Sequence, residues 1–206
     1  MYTRVTRFTN PEPLTDARIA EAAQRMSETF GQTPGYLGWS ALVDHASGKA
    51  ISVTYWADAA SMQASEDAGA ALRGHVISQG AQLIDLERYE LLIQERVAPP
   101  SAGTFVRLTQ LTLAPERIDE LMAVMTQTSV PQTKALPGFR SFLVSANRAA
   151  GKVLVATVWE STAAREASDA AVRDERRQTA ERVGASVVSV EPYEVAAVDL
   201  KLPAPA

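Results

Sequence analysis

The chain contains no cysteine. That excludes a disulfide framework, a thiolate metal site and a cysteine nucleophile, and it agrees with a cytoplasmic location. Histidine is almost as scarce: His45 and His75 are the two present. Two distant imidazoles without a thiol do not suggest a transition-metal site. No apolar run approaches the length of a membrane span, so no membrane partner is expected. Met1-Tyr2-Thr3-Arg4 lacks the apolar stretch of a signal peptide. The net charge is −4, with no basic patch, which argues against nucleic acid as a partner. There is no glycine-rich phosphate loop after a strand and no Gly-x-Ser-x-Gly elbow, so the familiar nucleotide and serine-hydrolase sites are absent. What remains is 206 residues, 46% hydrophobic, enough to bury a real core as one large domain or two small ones.

One stretch occurs twice. Pro34-Gly35-Tyr36, Gly48-Lys49, Tyr55-Trp56 and Ser65 return as Pro137-Gly138-Phe139, Gly151-Lys152, Val158-Trp159 and Ser168, always at an offset of 103. A constant offset without gaps marks an internal repeat.

Within the first copy, Tyr2 to Phe8 reads as a strand. Leu14 to Phe30 carries Ile19, Ala22, Ala23, Met26 and Phe30 at helical spacing, with Thr15 or Asp16 placed to cap. Tyr36 to Val43 and Ala50 to Trp56 are strands joined by the tight turn at 44–49, hence antiparallel. A second helix is expected over 58–79, then a strand from Leu86 to Leu92. Val97-Ala98-Pro99-Pro100-Ser101-Ala102-Gly103 has linker composition. The second copy repeats the order: strand 105–111, helix 115–130, strands 139–144 and 153–159, helix 163–183, and a strand around Tyr193. Gly184 matches Gly80 at 104, so one residue is inserted before it. The expected organisation is a first domain at 1–97, a linker at 98–103, a second domain at 104–202 and a frayed tail at 203–206.

Each copy is therefore β-α-β-β-α-β, the ferredoxin-like unit, and the fold class is α+β. Helices cover one face of such a sheet and leave the other bare. Two tandem units bury those faces if their antiparallel sheets meet as an intramolecular, pseudo-dimeric α+β barrel. A cavity between the sheets is then the natural ligand site.

Strand alternation selects the candidates. Ser52, Thr54 and Trp56 share a face, as do Val155, Thr157 and Trp159; the opposite sets are apolar except for Tyr55. The apolar set suits the helices and the mixed set suits the cavity. By the same rule Arg4 and Thr6, with Arg107 and Thr109, point to the barrel interior. Arginines buried there need partners, and Glu87 with Glu191, or Glu90 with Glu194, are the repeated acids on hand. Tyr89 and Tyr193 recur between acids, where their hydroxyls could orient a substrate or bond locally.

Pro-Gly-Phe/Tyr opening the second strand, Trp closing the third, and Trp159-Glu160-Ser161 on this frame resemble the antibiotic biosynthesis monooxygenase-like branch of the dimeric α+β barrels. Both halves carry the resemblance, as though a dimer of single domains had become one chain. It implies varied chemistry: cofactor-free oxidation of polyketide anthrones or quinols, haem degradation, or no known activity. It implies that Trp56 and Trp159 wall an active site. The Asn four residues before that Trp and the Tyr six after it in anthrone oxidisers are here Ser52 or Val155, and Met62 or Arg165. His75 falls near the axial histidine of haem-degrading relatives, with Gln178 in its place in the second half.

The sequence thus carries three functional expectations. One is a cofactor-independent monooxygenase acting on a hydrophobic aromatic molecule of polyketide or quinol type. Its catalytic set is Trp56, Trp159, Arg4 and Arg107, the arginines holding negative charge. Thr6, Ser52, Thr54, Tyr89, Thr109, Thr157 and Tyr193 bind substrate. The second is a non-catalytic barrel that holds a small ligand, or haem through His75. The third is a member that only assembles. No cofactor is expected under the first, and the chain is either a monomeric pseudo-dimer or a homodimer. Divergence at positions 52/155, 62/165 and 75/178 predicts unequal pockets, the first half being the functional one.

Overall fold

A computed structural model describes residues 1–201, so the expected tail at 203–206, with Leu202, lies outside the described residues. The first repeat forms β1 (Tyr2–Thr9), α1 (Asp16–Phe30), β2 (Tyr36–Asp44), β3 (Lys49–Trp56), α2 (Ala59–Ala64), α3 (Glu66–Ser78) and β4 (Gln82–Arg96). The second forms β5 (Phe105–Thr112), a 3-10 turn (Pro115–Arg117), α4 (Ile118–Val124), a π-helical turn (Met125–Ser129) and α5 (Val130–Lys134). It ends with β6 (Phe139–Asn147), β7 (Lys152–Trp159), α6 (Thr162–Arg182) and β8 (Ser186–Leu200).

Local chemistry accounts for the boundaries. The Thr15 hydroxyl accepts from the Arg18 amide and caps α1. Gly35 and Gly138 hold φ of +78° and +76° just before β2 and β6, a left-handed turn that only glycine adopts without strain. The expected single helix over 58–79 is instead two. Ser65 sits at φ −85°, ψ 3° between α2 and α3. The Met62 carbonyl is drawn away to the Ser65 hydroxyl at 2.8 Å and to Arg4 Nη2 at 2.5 Å. In the second repeat Arg107 bonds the Ser168 hydroxyl alone, and α6 runs unbroken. The expected helix over 115–130 is interrupted by the π turn directly before Val130-Pro131. Proline offers no amide to the preceding turn and crowds it, so the turn widens.

The strands follow one another in the closed barrel order β1-β3-β2-β8-β5-β7-β6-β4. The fold is α+β, built from two tandem ferredoxin-like repeats. The compact units nevertheless differ from the repeats. The first unit comprises Met1–Tyr89 and the strand end beginning at Glu194; the second comprises Glu90–Tyr193. In the first, β2 pairs with both β3 and the last part of β8, from Gly38↔Leu200 to Val43↔Glu194. In the second, β6 pairs with β7 and the last part of β4, from Glu90↔Ala146 to Arg96↔Ser141. Each long final strand thus divides between the units.

The first core gathers Phe30, Tyr36, Trp39, Trp56 and Met62, with Phe30 and Trp56 edge to face at 5.4 Å. The second is more aliphatic, with Ile118, Leu121, Val144, Val153 and Val183 around Trp159 and Phe139.

Candidate functional site

The first unit contains a cavity of about 130 Å³ between its sheet and the helices α1 and α3. A cavity near 150 Å³ suffices for benzene, about one aromatic ring. The floor comes from β1, β2 and β3: Arg4, Thr6 and Phe8, then Trp39, Ala41 and Val43, then Ser52 and Thr54. Ala22, Met26 and Phe30 of α1 and Gly69, Leu72 and Val76 of α3 form the roof. The Trp39 indole N–H donates to the Ser52 hydroxyl at 2.7 Å, which fixes the ring and occupies that hydroxyl. Toward the mouth stand Arg18, Glu21, Arg25 and His75. Glu21 Oε1 lies 3.0 Å from Arg25 and 3.5 Å from His75 Nε2, which is also 3.0 Å from Gln79 Nε2.

Beneath α3 lies a polar clamp. Arg4 Nη2 donates to the Met62 carbonyl and to Ser65 Oγ at 2.9 Å, and forms an ion pair with Glu66 Oε2 at 3.2 Å. Glu66 also receives Arg73 at 2.5 Å and Arg88 at 2.7 Å. Burial opposes ionisation of Glu66. The bonds from Arg88 and Arg73 and the charge of Arg4 outweigh it, so this carboxyl titrates below its ordinary range. Burial pulls the Arg4 guanidinium below its usual value; Glu66 opposes the shift, and Arg73 and Arg88 add to it.

The second unit repeats the clamp. Arg107 donates to Ser168 Oγ at 2.9 Å and lies 3.7 Å from Asp169, which holds Arg176 at 3.0 Å. Burial, and then Arg176, push Arg107 down to about 10. Its cavity shrinks to about 50 Å³. Val155 and Val172 line it where the first repeat has Ser52 and Gly69, and Met125 stands where the first has Ala22. A Cβ on Gly69 would meet Arg4 Nη1 at 2.7 Å, so that site has no room for a side chain.

Arg4, Thr6, Ser52 and Thr54 gather at the first cavity, and Arg107, Thr109 and Thr157 at the second. Four expectations are corrected. The mixed strand faces lie under the helices, so each cavity is between sheet and helices within one unit. Alternation identifies which residues share a face and leaves open which face the helices cover. The partners of Arg4 and Arg107 are Glu66 and Asp169 from the helices. Glu87 pairs with Arg7, on the opposite face of β1, while Glu90 and Glu194 lie near Arg148 and His45, and Glu191 accepts from Tyr193. Trp56 and Trp159 are fully buried and line neither cavity. Their N–H groups donate to Thr54 and Thr157 at 3.0 Å, and Arg4 and Arg107 stack on their rings at 5.7 Å. Tyr89 and Tyr193 also lie outside the cavity walls, each bonded to a glutamate two residues before it. Sequence reasoning missed Trp39, Arg18 and Gly69. Their signal was the repeat itself, which sets them against Phe142, Leu121 and Val172.

A ferredoxin-like α+β barrel with a ring-sized apolar cavity under its helices defines a class of proteins suited to small hydrophobic molecules. The family model of antibiotic biosynthesis monooxygenases matches residues 1–76 and 104–181, and the chain belongs to that family. It is 25% identical over 205 residues to an uncharacterised protein of Mycobacterium tuberculosis, covering 98% of this chain and 86% of that one. Among solved structures, a candidate monooxygenase of Fusobacterium nucleatum superposes with a TM-score of 0.69 at 17% identity, covering 97% of this chain and 94% of the other. An anthrone oxidase-like protein gives 0.67 at 18%, covering 100% and 96%. A haem-degrading enzyme of Listeria monocytogenes gives 0.53 at 12%, covering 93% and 99%. At these identities the likeness is one of fold. Among the described residues no helix is long and apolar enough to cross a membrane.

Proposed function

We propose that the first unit binds a small hydrophobic aromatic molecule and oxidises it with dioxygen, as a cofactor-independent monooxygenase. The observation that carries this reading is the cavity beneath α1 and α3: apolar, ring-sized, walled by Trp39, with His75 beside Glu21 at its mouth. Family membership supports a monooxygenase-like or small-ligand role in general. Activating an aromatic substrate toward oxygen requires removing a proton, and His75 oriented by a carboxylate is the base at hand. For a monocyclic hydroquinone the balance is simple. One ring carbon gains one oxygen atom of O₂ to give a hydroxybenzoquinone, and the other oxygen leaves as water with two hydrogens. Arg4, Arg107, Trp56 and Trp159 then serve as the frame of the cavities, because Arg4 Nη2, Arg107 Nη1 and both indole N–H groups are bonded within the protein.

Haem fits this site poorly. The cavity accommodates about one ring rather than a tetrapyrrole, and His75 Nε2 is already close to Glu21 and Gln79. A non-catalytic binding role is the second reading, favoured by one observation. Met62 and Ser52 stand at the positions of the anthrone oxidisers' Tyr and Asn; Met62 is buried, and the Ser52 hydroxyl is taken by Trp39.

Oxygen uptake by the metal-free protein on a monocyclic quinol separates the readings. Uptake above background should fall on the order of 10²-fold or more in His75→Gln. It should also fall in Trp39→Leu, while Trp159→Phe stays close to wild type. Binding of the aromatic, seen as quenching that Trp39→Phe abolishes, without oxygen uptake, would establish the non-catalytic reading.

A further inference from the structure

Four arginines reach the first cavity, and three are spoken for. Arg4 and Arg73 share Glu66, and Arg25 holds Glu21. The Arg18 guanidinium forms no hydrogen bond or ion pair among the described residues, although it lines an apolar cavity and is only partly exposed. Its place in the helix is informative. The repeat sets Arg18 of α1 against Leu121 of α4, which is fully buried in the second core. This is a sheet-facing helix position, where an apolar residue is the ordinary choice. The same comparison puts Ala22 against Met125 and Gly69 against Val172. The first unit has exchanged bulk for space and added a cation at that space. A cation beside apolar walls acts through less screening than one in open water.

We infer that the first cavity takes its ligand as an anion: an aromatic carboxylate or phenolate whose ring lies against Trp39 and whose negative group meets Arg18. The inference rests on the reading of this cavity as the small-molecule site and names the ligand class for it. Arg18 is then a specificity residue, distinct from the clamp arginines and from His75. In the second unit Leu121 removes the cation and the smaller cavity removes the room, so that unit has no such site.

The test is calorimetric titration of the full chain with benzoate and with its neutral counterpart, benzyl alcohol. Benzoate should bind on the order of tenfold more tightly, the scale of one charge-assisted hydrogen bond. Arg18→Gln, and Arg18→Leu as the second repeat has it, should abolish that preference while the alcohol binds as before. Thermal melts alongside confirm that both variants fold. Added salt should weaken benzoate binding alone. If both compounds bind the wild type equally, or the preference survives in both variants, the assignment to Arg18 is overturned and the cavity reading stands. If neither compound binds the wild type, the cavity reading itself falls.

Discussion

Gly69, with no side chain, lets two guanidiniums of the clamp come up close beneath α3. Glycine inside a helix ordinarily costs about 1 kcal/mol against alanine. Here the missing Cβ leaves space that the Arg4 and Arg73 guanidiniums border, at 2.7 and 3.1 Å from where that atom would be. Gly69→Val should therefore weaken benzoate binding at least tenfold, read by calorimetry. Overpacking against the clamp should also cost about 1–3 kcal/mol in urea denaturation. At this scale the sequence was partly legible. Period-two alternation grouped Arg4, Thr6, Ser52 and Thr54 correctly. It placed them on the wrong side of the sheet, since a strand pattern carries no record of which face the helices take. Arg18 was hidden by its residue type: an arginine on an amphipathic helix reads as solvent-facing until the equivalent Leu121 is seen buried.

Between elements, the serine at each helix is the tie to the first strand of its unit. Ser65 Oγ accepts from Arg4 and donates to the Met62 carbonyl; Ser168 Oγ accepts from Arg107 and donates to the Arg165 carbonyl. Both serines are buried. Ser65→Ala and Ser168→Ala should each cost about 1–2 kcal/mol in chemical denaturation, since each leaves a buried guanidinium short of a partner. The acids of the two clamps give the protein an acid sensitivity of known sign. Glu66 and Asp169 both titrate below their ordinary values of 4.5 and 3.8 in the folded chain. Their stabilisation is complete above those values and is lost as pH falls through the lower folded ones. Melting temperature should drop on that acid limb, and less steeply in Glu66→Gln. Ser65 and Ser168 were visible as repeat partners, but their role was not, because the depth at which a helix docks on a strand is a tertiary outcome. The same holds for the break at Ser65, where a good helical pattern yields to Arg4 competing for a carbonyl.

Over the whole molecule, the repeat of 103 residues made two ferredoxin-like units legible, and a barrel was expected from their bare sheet faces, without its strand order. The exchange of strand ends was not legible. Local periodicity stops at the end of a strand and cannot name a neighbour more than 150 residues away, as Val43 and Glu194 are. A fragment ending at residue 97 contains every element of the first repeat yet lacks β8, the partner of β2 on the edge away from β3. Its exposed edge should drive association, so light scattering should find the fragment oligomeric where the full chain gives one defined species. A monomeric, cooperatively melting fragment would show that the end of β8 is dispensable.

That pairing also orders events on the ribosome. Domains usually fold as they emerge, the N-terminal one first. Here the unit that holds β1, β2 and β3 receives its last strand from Glu194 to Leu200, about 150 residues after β2. At about 5–20 residues per second, the edge of β2 stands open for on the order of ten to thirty seconds after it is made. The half of the protein that carries the larger cavity is thus begun before the second unit and completed after it.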